Sequence, residues 1–129
     1  MMPASPAAEQ PRHRDVPFPA TIARRMIADR LDREDSLGCG LFNDTDWAMM
    51  LDIYVSMAEG HYPSEVAITL TSGVPVRTAK RIIAFLVSKG DLIHQPDPRN
   101  EQRSLVWLTE PRHAAITAHL IRVAKRWGL

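Results

Sequence analysis

The sequence predicts a mainly α-helical domain with one small β-hairpin (α+β), arranged as a winged helix-turn-helix. Three observations carry this reading. Apolar residues recur at helical spacing in several stretches. Two of those stretches, 63–72 and 75–89, are separated only by a tight turn containing Gly73. Leu92 to Leu108, ahead of the last helical stretch, is short, extended and interrupted by Pro96 and Pro98.

A chain of 129 residues can bury one modest core. No apolar run approaches the length of a membrane span. The opening "MMPASPAAEQPRHRD" lacks the apolar segment of a secretory signal, so the cytoplasm is the expected compartment. With Cys39 alone, neither an intrachain disulfide nor a cysteine-cluster zinc site can form.

Residues 1–17 hold four of the ten prolines and almost no large apolar side chain, and read as a disordered arm. Residues 18–129 form the predicted domain. Its first helix starts at Phe18, with Ile22, Met26, Ile27 and Leu31 as the apolar side, and "SLGCG" breaks the pattern. The next helix is the clearest. Asn43 is a natural N-cap, Asp44 and Asp46 complement the helix dipole, and Phe42 and Trp47 stand at hydrophobic-staple positions. Trp47, Met50, Leu51, Tyr54 and Ala58 follow at helical spacing, and Gly60 stops them.

Pro63 and Ser64 open a short helix in which Val66, Ala67 and Leu70 are expected to face inward. Val76, Ala79, Ile83, Leu86 and Val87 form the apolar stripe of the following helix, at 75–89. Arg77, Arg81, Ala84 and Ser88 lie opposite, with Lys80 on the flank and Phe85 near the outer face. Leu92–Ile93 and Leu105–Leu108 are strand candidates, joined by a long flexible tip over Pro96–Gln102. Thr109 and Pro111 signal a last helix, with Ile116, Leu120, Val123, Ala124 and Trp127 on its apolar side.

The net charge of +1 conceals a strong pattern. Residues 36–74 carry five acidic and no basic side chains, whereas 75–103 carry six basic and three acidic. Clustered positive charge on a helix-turn-helix and its hairpin is the footprint of a double-stranded DNA partner. The helix at about 75–89 would enter the major groove, and the hairpin at about 92–108 would be a wing beside the minor groove. Arg77, Thr78, Lys80 and Arg81 are the expected major-groove contacts, Ser64 and Thr78 expected phosphate contacts, and Arg99 and Arg103 the wing contacts. Ser64 also reads simply as an N-cap.

Here the motifs become specific. "GVPVRTAKRIIAFLVSKGDLI" followed by "PDPRNEQRSLVWLT" resembles the MarR family of winged helix-turn-helix transcriptional regulators, over about 42–120. Gly90 stands where that family ends its recognition helix, Asp97 and Pro98 begin its wing, and Leu108–Thr109 close it. The resemblance implies a homodimer joined by the terminal helices, here 18–35 and 110–128, and in many members a small-molecule effector. This sequence departs from the pattern at several places. Asn100 replaces an Asp that commonly braces the wing arginine, and Arg103 comes one residue late. Glu101 and Gln102 stand at usually basic positions, Asp91 replaces an apolar residue, and His94 stands where arginine is frequent.

Trp127 so near the C-terminus suggests burial against a partner in a dimer interface, ahead of the alternative of packing between the two chain ends. Cys39 has no basic neighbour to activate it as a redox sensor. His94, His113 and His119 show no metal-ligand spacing, and no cofactor motif or catalytic triad pattern is present, so neither a cofactor nor an enzymatic activity is expected. A filled core is the expected role of Trp47, Tyr54 and the methionines, ahead of an effector pocket. The competing reading is a winged helix used for protein contact, which needs Phe85 and not the arginines. Deleting residues 1–15 is expected to leave the thermal midpoint unchanged in a melting experiment. A large loss would mean that the arm is docked.

Overall fold

A computed structural model describes residues 18–38 and 43–129. The expectations for the N-terminal arm, for Cys39 and for the staple residue Phe42 lie outside the described residues. Five helices and one antiparallel hairpin follow in the order α1 (Pro19–Leu37), α2 (Asp44–Ala58), α3 (Glu65–Thr71), α4 (Val76–Ser88), β1 (Leu92–Asp97), β2 (Asn100–Leu108) and α5 (Glu110–Arg126). This is the winged helix-turn-helix arrangement.

α1 starts with Pro19, whose missing N–H is no loss in a first turn. It continues past Leu31 to Leu37, which is buried. Asn43 caps α2 as expected, its side chain accepting from the Asp46 N–H at 2.9 Å. The buried arc of α2 is wider than the stripe read from the sequence. Met49 and Ile53 join Met50 in the core, while Ala58 is exposed. A helix touched by both α3 and β2 must bury more than one narrow stripe.

In α3 the predicted phase is wrong. Ile68 and Thr69 face inward, and Val66, Ala67 and Leu70 are exposed. A seven-residue helix with aliphatics all round has no unique amphipathic phase. Tertiary bonds decide its rotation: the Thr71 hydroxyl donates to Asp52 on α2 at 2.8 Å. The turn to α4 passes through Gly73 at φ +77°, a backbone that residues with a Cβ rarely adopt. Ala79, Ile83 and Leu86 bury the inner face of α4, while Val76 lies outside the packed part and is exposed. Gly90 ends the helix at φ +82° in a Schellman motif, with Gly90 N–H donating to Val87 O and Asp91 N–H to Leu86 O.

The hairpin also differs from expectation. Strand pairing persists through Pro96, which faces Ser104, and a register shift follows before Asp97 meets Asn100. The tip is therefore tight, reduced to Pro98 and Arg99. β1 is an edge strand, where a proline breaks no ladder bond that the sheet needs. Asp97 followed by Pro98 is a favoured opening for a β-turn.

Met50, Ile53, Ile83, Leu86, Val106, Leu108 and Ile116 are fully buried. They come from α2, α4, β2 and α5, so one core joins the helix-turn-helix to the wing and the last helix. α1 packs along α5 through polar contacts. Asp32 accepts from His119 Nδ1 at 2.8 Å, Arg122 Nε at 2.9 Å and Arg126 Nη2 at 3.2 Å. Asp29 accepts from Arg126 Nε at 2.6 Å and from the Trp127 indole N–H at 2.7 Å. Arg25 lies over the Trp127 ring at 5.6 Å. Trp127 thus has neighbours in its own chain, on α1.

Burial by itself would raise the Asp32 pKa, but hydrogen bonds from His119, Arg126 and Arg122 outweigh it and hold the carboxyl below its ordinary value. A depressed carboxylate contributes stability that is present above the unfolded pKa and lost as pH falls through the folded one. The thermal midpoint is therefore expected to fall on acidification below the ordinary carboxylate range. In Asp32→Asn the midpoint is expected to be lower at neutral pH and the acid step smaller. An unchanged acid step in melting curves would contradict this role.

Candidate nucleic-acid interface

The outer face of α4 carries Arg77, Lys80 and Arg81, all exposed, with Thr78 half-buried at the first turn. Ala84 and Ser88 continue the same exposed side. Among the described residues no carboxylate pairs with Arg77, Lys80 or Arg81. The arginines of α5 behave differently: Arg112, Arg122 and Arg126 each hold an aspartate within 2.9 Å. Phe85 is half-exposed beside this face, with the Lys89 ammonium 5.2 Å from its ring centroid.

The wing is fastened to the start of α3 by several contacts. The Val106 N–H donates to Pro63 O at 2.9 Å, and Ser64 bridges to Leu105 as a short third strand. Tyr62 stacks on Trp107 with centroids 4.7 Å apart and planes 15° apart. His94 Nε2 meets Glu65 Oε2 at 2.6 Å. The wing therefore cannot swing independently of α3 without breaking all four.

At the tip, Asp97 accepts from the Arg99 N–H at 2.9 Å and faces Arg103 Nε at 3.8 Å. The brace absent at Asn100 is thus supplied from the other strand. Asn100 instead accepts from the Gln102 N–H at 3.1 Å. Arg99 is exposed at the turn, and Arg103 is exposed despite its loose pairing. Ser64 is buried, and its hydroxyl accepts from the Ala67 N–H at 3.1 Å to cap α3. The cap role accounts for the Ser64 hydroxyl.

Behind α4 lies a buried ionic junction. Asp91, immediately after Gly90, accepts from Arg112 Nε at 2.9 Å and faces Lys89 Nζ at 3.4 Å. Arg112 also donates to Leu37 O, the last carbonyl of α1, at 3.0 Å. Burial pushes the nearby Asp46 carboxyl up, against the opposing pull of the Lys89 charge. This junction sets where α4 ends and the wing begins.

Tyr62, Glu65, His94 and Trp107 form the wing seat, which the sequence reading left out. Two of them lie in stretches read as loop or helix start, so only the fold brings them together. Asp91 was legible as an acid at a usually apolar position, without its partner. Among the described residues no group of His, Cys, Asp or Glu is placed to hold a metal ion, and no helix is long and apolar enough to cross a membrane.

No protein-family model and no curated protein matches this chain. Solved structures do match. The MepR–DNA complex from S. aureus superposes with a TM-score of 0.67 at 12% identity, covering 84% of this chain and 83% of that one. MarR superposes with a TM-score of 0.56 at 19% identity, covering 88% and 79%. A mutant MarR from E. coli, complexed with operator DNA, gives 0.53 at 18% identity, covering 83% and 74%. The chain has the winged helix fold of MarR-type transcriptional regulators.

Proposed function

We propose that this protein is a sequence-specific DNA-binding transcriptional regulator that acts as a homodimer. The observation that carries the reading is the row of uncompensated cations on α4. A protein that pairs every arginine in the second half of α5 with an acid leaves Arg77, Lys80 and Arg81 without one. Such a face is matched to a polyanion. In this reading α4 lies in the major groove, where Arg77 and Arg81 read base edges with Thr78 and Lys80 beside them. Arg99 and Arg103 reach phosphates or the minor groove from a wing held rigid against α3. The structural similarity to proteins solved on DNA supports the same placement.

The dimer reading rests on α1 and α5. Met26, Ile27 and Leu31 on α1 and Ile121 on α5 are large apolar side chains exposed in the single chain. The polar α1–α5 contacts described above join these helices within the chain and leave that apolar surface outward. A two-fold axis through it would space two α4 helices for half-sites about one helical turn apart. A small-molecule effector would find a recess of about 260 Å³ between α1, α2 and α5, lined in part by Met26, Trp47, Leu51 and Leu120 together with the charged Arg30 and Arg33. Tyr54 is outside it, stacked on His113 and hydrogen-bonded to Thr117.

A second reading, a winged helix for protein contact, is favoured by the exposure of Val66, Leu70 and Phe85. Fluorescence anisotropy separates the two. The protein is titrated onto DNA from upstream of its own gene and onto an unrelated duplex of equal length, across salt. A preference of about a thousandfold or more that collapses in Arg77→Ala and Arg81→Ala is expected. Absence of binding at low salt would overturn the DNA reading and leave protein contact. Light scattering should give twice the mass of one chain, reduced to a single chain in the double substitution Ile27→Lys with Leu31→Lys. A monomeric wild type would remove the dimer.

A further inference from the structure

Val66, Leu70 and Val76 should not be exposed on a DNA-facing surface if that surface only attracts phosphate. These residues are 63%, 74% and 52% exposed, respectively. All three line one recess of about 350 Å³ between α3, the first turn of α4 and the wing. Lys80 and Arg103 line it as well, together with Gln102 and Ser104. The one acid there, Glu65, is held by His94 at 2.6 Å.

We infer that Val76 reads the 5-methyl group of a thymine in the major groove, within the recess that it shares with Leu70 and Val66. The inference deepens the DNA-regulator reading and rests on it. Recognition helices contact base edges with their N-terminal residues, and Val76 is the first residue of α4. The thymine methyl is the one apolar group that unmodified base pairs present in the major groove. The two cations that line the recess suit the phosphates on either side of such a base and disfavour a neutral apolar protein segment. Valine is also stiff at χ1, so little side-chain freedom is lost on contact. Arg77 and Arg81 then supply hydrogen-bonded readout on the same helix, and Val76 distinguishes thymine from cytosine at its own position.

The test begins with selection of binding sites from a random-sequence duplex library by the full chain. Each fixed thymine in the selected site is then replaced by deoxyuridine, which pairs identically and lacks only the methyl. At one position the replacement is expected to weaken binding about fourfold, the worth of one buried methyl-sized group. Val76→Ala should bind the thymine and deoxyuridine duplexes equally. Arg81→Ala should weaken both duplexes and keep their ratio. Selected sites with no fixed thymine, or full affinity with deoxyuridine at every position, would overturn the inference and leave the DNA reading intact. No enrichment from the library, with no binding to any duplex at low salt, would remove the DNA reading and this inference with it. The thymine–deoxyuridine comparison uses the unaltered protein, so it does not depend on how a variant folds.

Discussion

The buried Asp91 carboxylate is the contact through which the separate parts of this fold are registered. It follows directly after the glycine that ends α4 and precedes the first wing residue. A carboxylate in that place must be paired, because an isolated buried charge is strongly disfavoured. Arg112 pairs it and at the same time donates to the last carbonyl of α1. The Thr109 hydroxyl adds a bond to Gly90 O at 2.8 Å from the other end of the wing. The end of α1, the end of α4, both ends of the hairpin and the start of α5 therefore meet at one point. A hydrophobic residue at 91 could fill the same volume, but it would not specify these partners. Buried ion pairs are weak evidence of stability and good candidates for fixing a unique arrangement. Here the arrangement so fixed is the angle between α4 and the wing.

Charge is divided by the same logic. The net charge of the chain is nearly zero, yet its cations do two different things. The arginines of α5 are drawn into bonds: Arg122 and Arg126 with Asp29 and Asp32 of α1, and Arg112 with Asp91. Those on the outside of α4 form no ion pair among the described residues. Solvated charge carries no cost and can be neutralised by an incoming polyanion, with release of its counterions. The two populations are indistinguishable by residue type, since both are mainly arginine. Only the positions of the acids separate them.

The wing is a stiff element rather than a loose arm. Stacking of Tyr62 on Trp107, the backbone bond from Val106 to Pro63 and the His94–Glu65 pair tie it to α3. The tip is short, and Asp97 organises it from within. A hairpin that is already ordered loses less conformational entropy on docking than a loose one. The exposed aliphatics of α3 and α4 sit between this wing and the basic face, so the surface offers hydrogen-bonding, cationic and apolar groups side by side.

Much of this was legible from the residues alone. Asn43 and Ser64 announce their caps because a side-chain acceptor before a helical run satisfies free N–H groups locally. Gly73 and Gly90 mark the turns on either side of α4, and the long apolar stripe Ala79, Ile83, Leu86 orients that helix and so exposes Arg77 and Arg81. These signals are local, and the sequence determined them by itself. The phase of α3 was not legible, because seven residues with aliphatics on every side are turned only by contacts with Asp52 and the wing. The short tip was misread because Pro96 breaks a central strand but is harmless on an edge, and only the sheet order says which strand is the edge. The partners of Asp91, Asp32 and Trp127 lie far along the chain, so no local pattern could name them. Tertiary structure decided those pairings, since a buried charge or indole N–H takes whichever group the packed helices bring within hydrogen-bond reach.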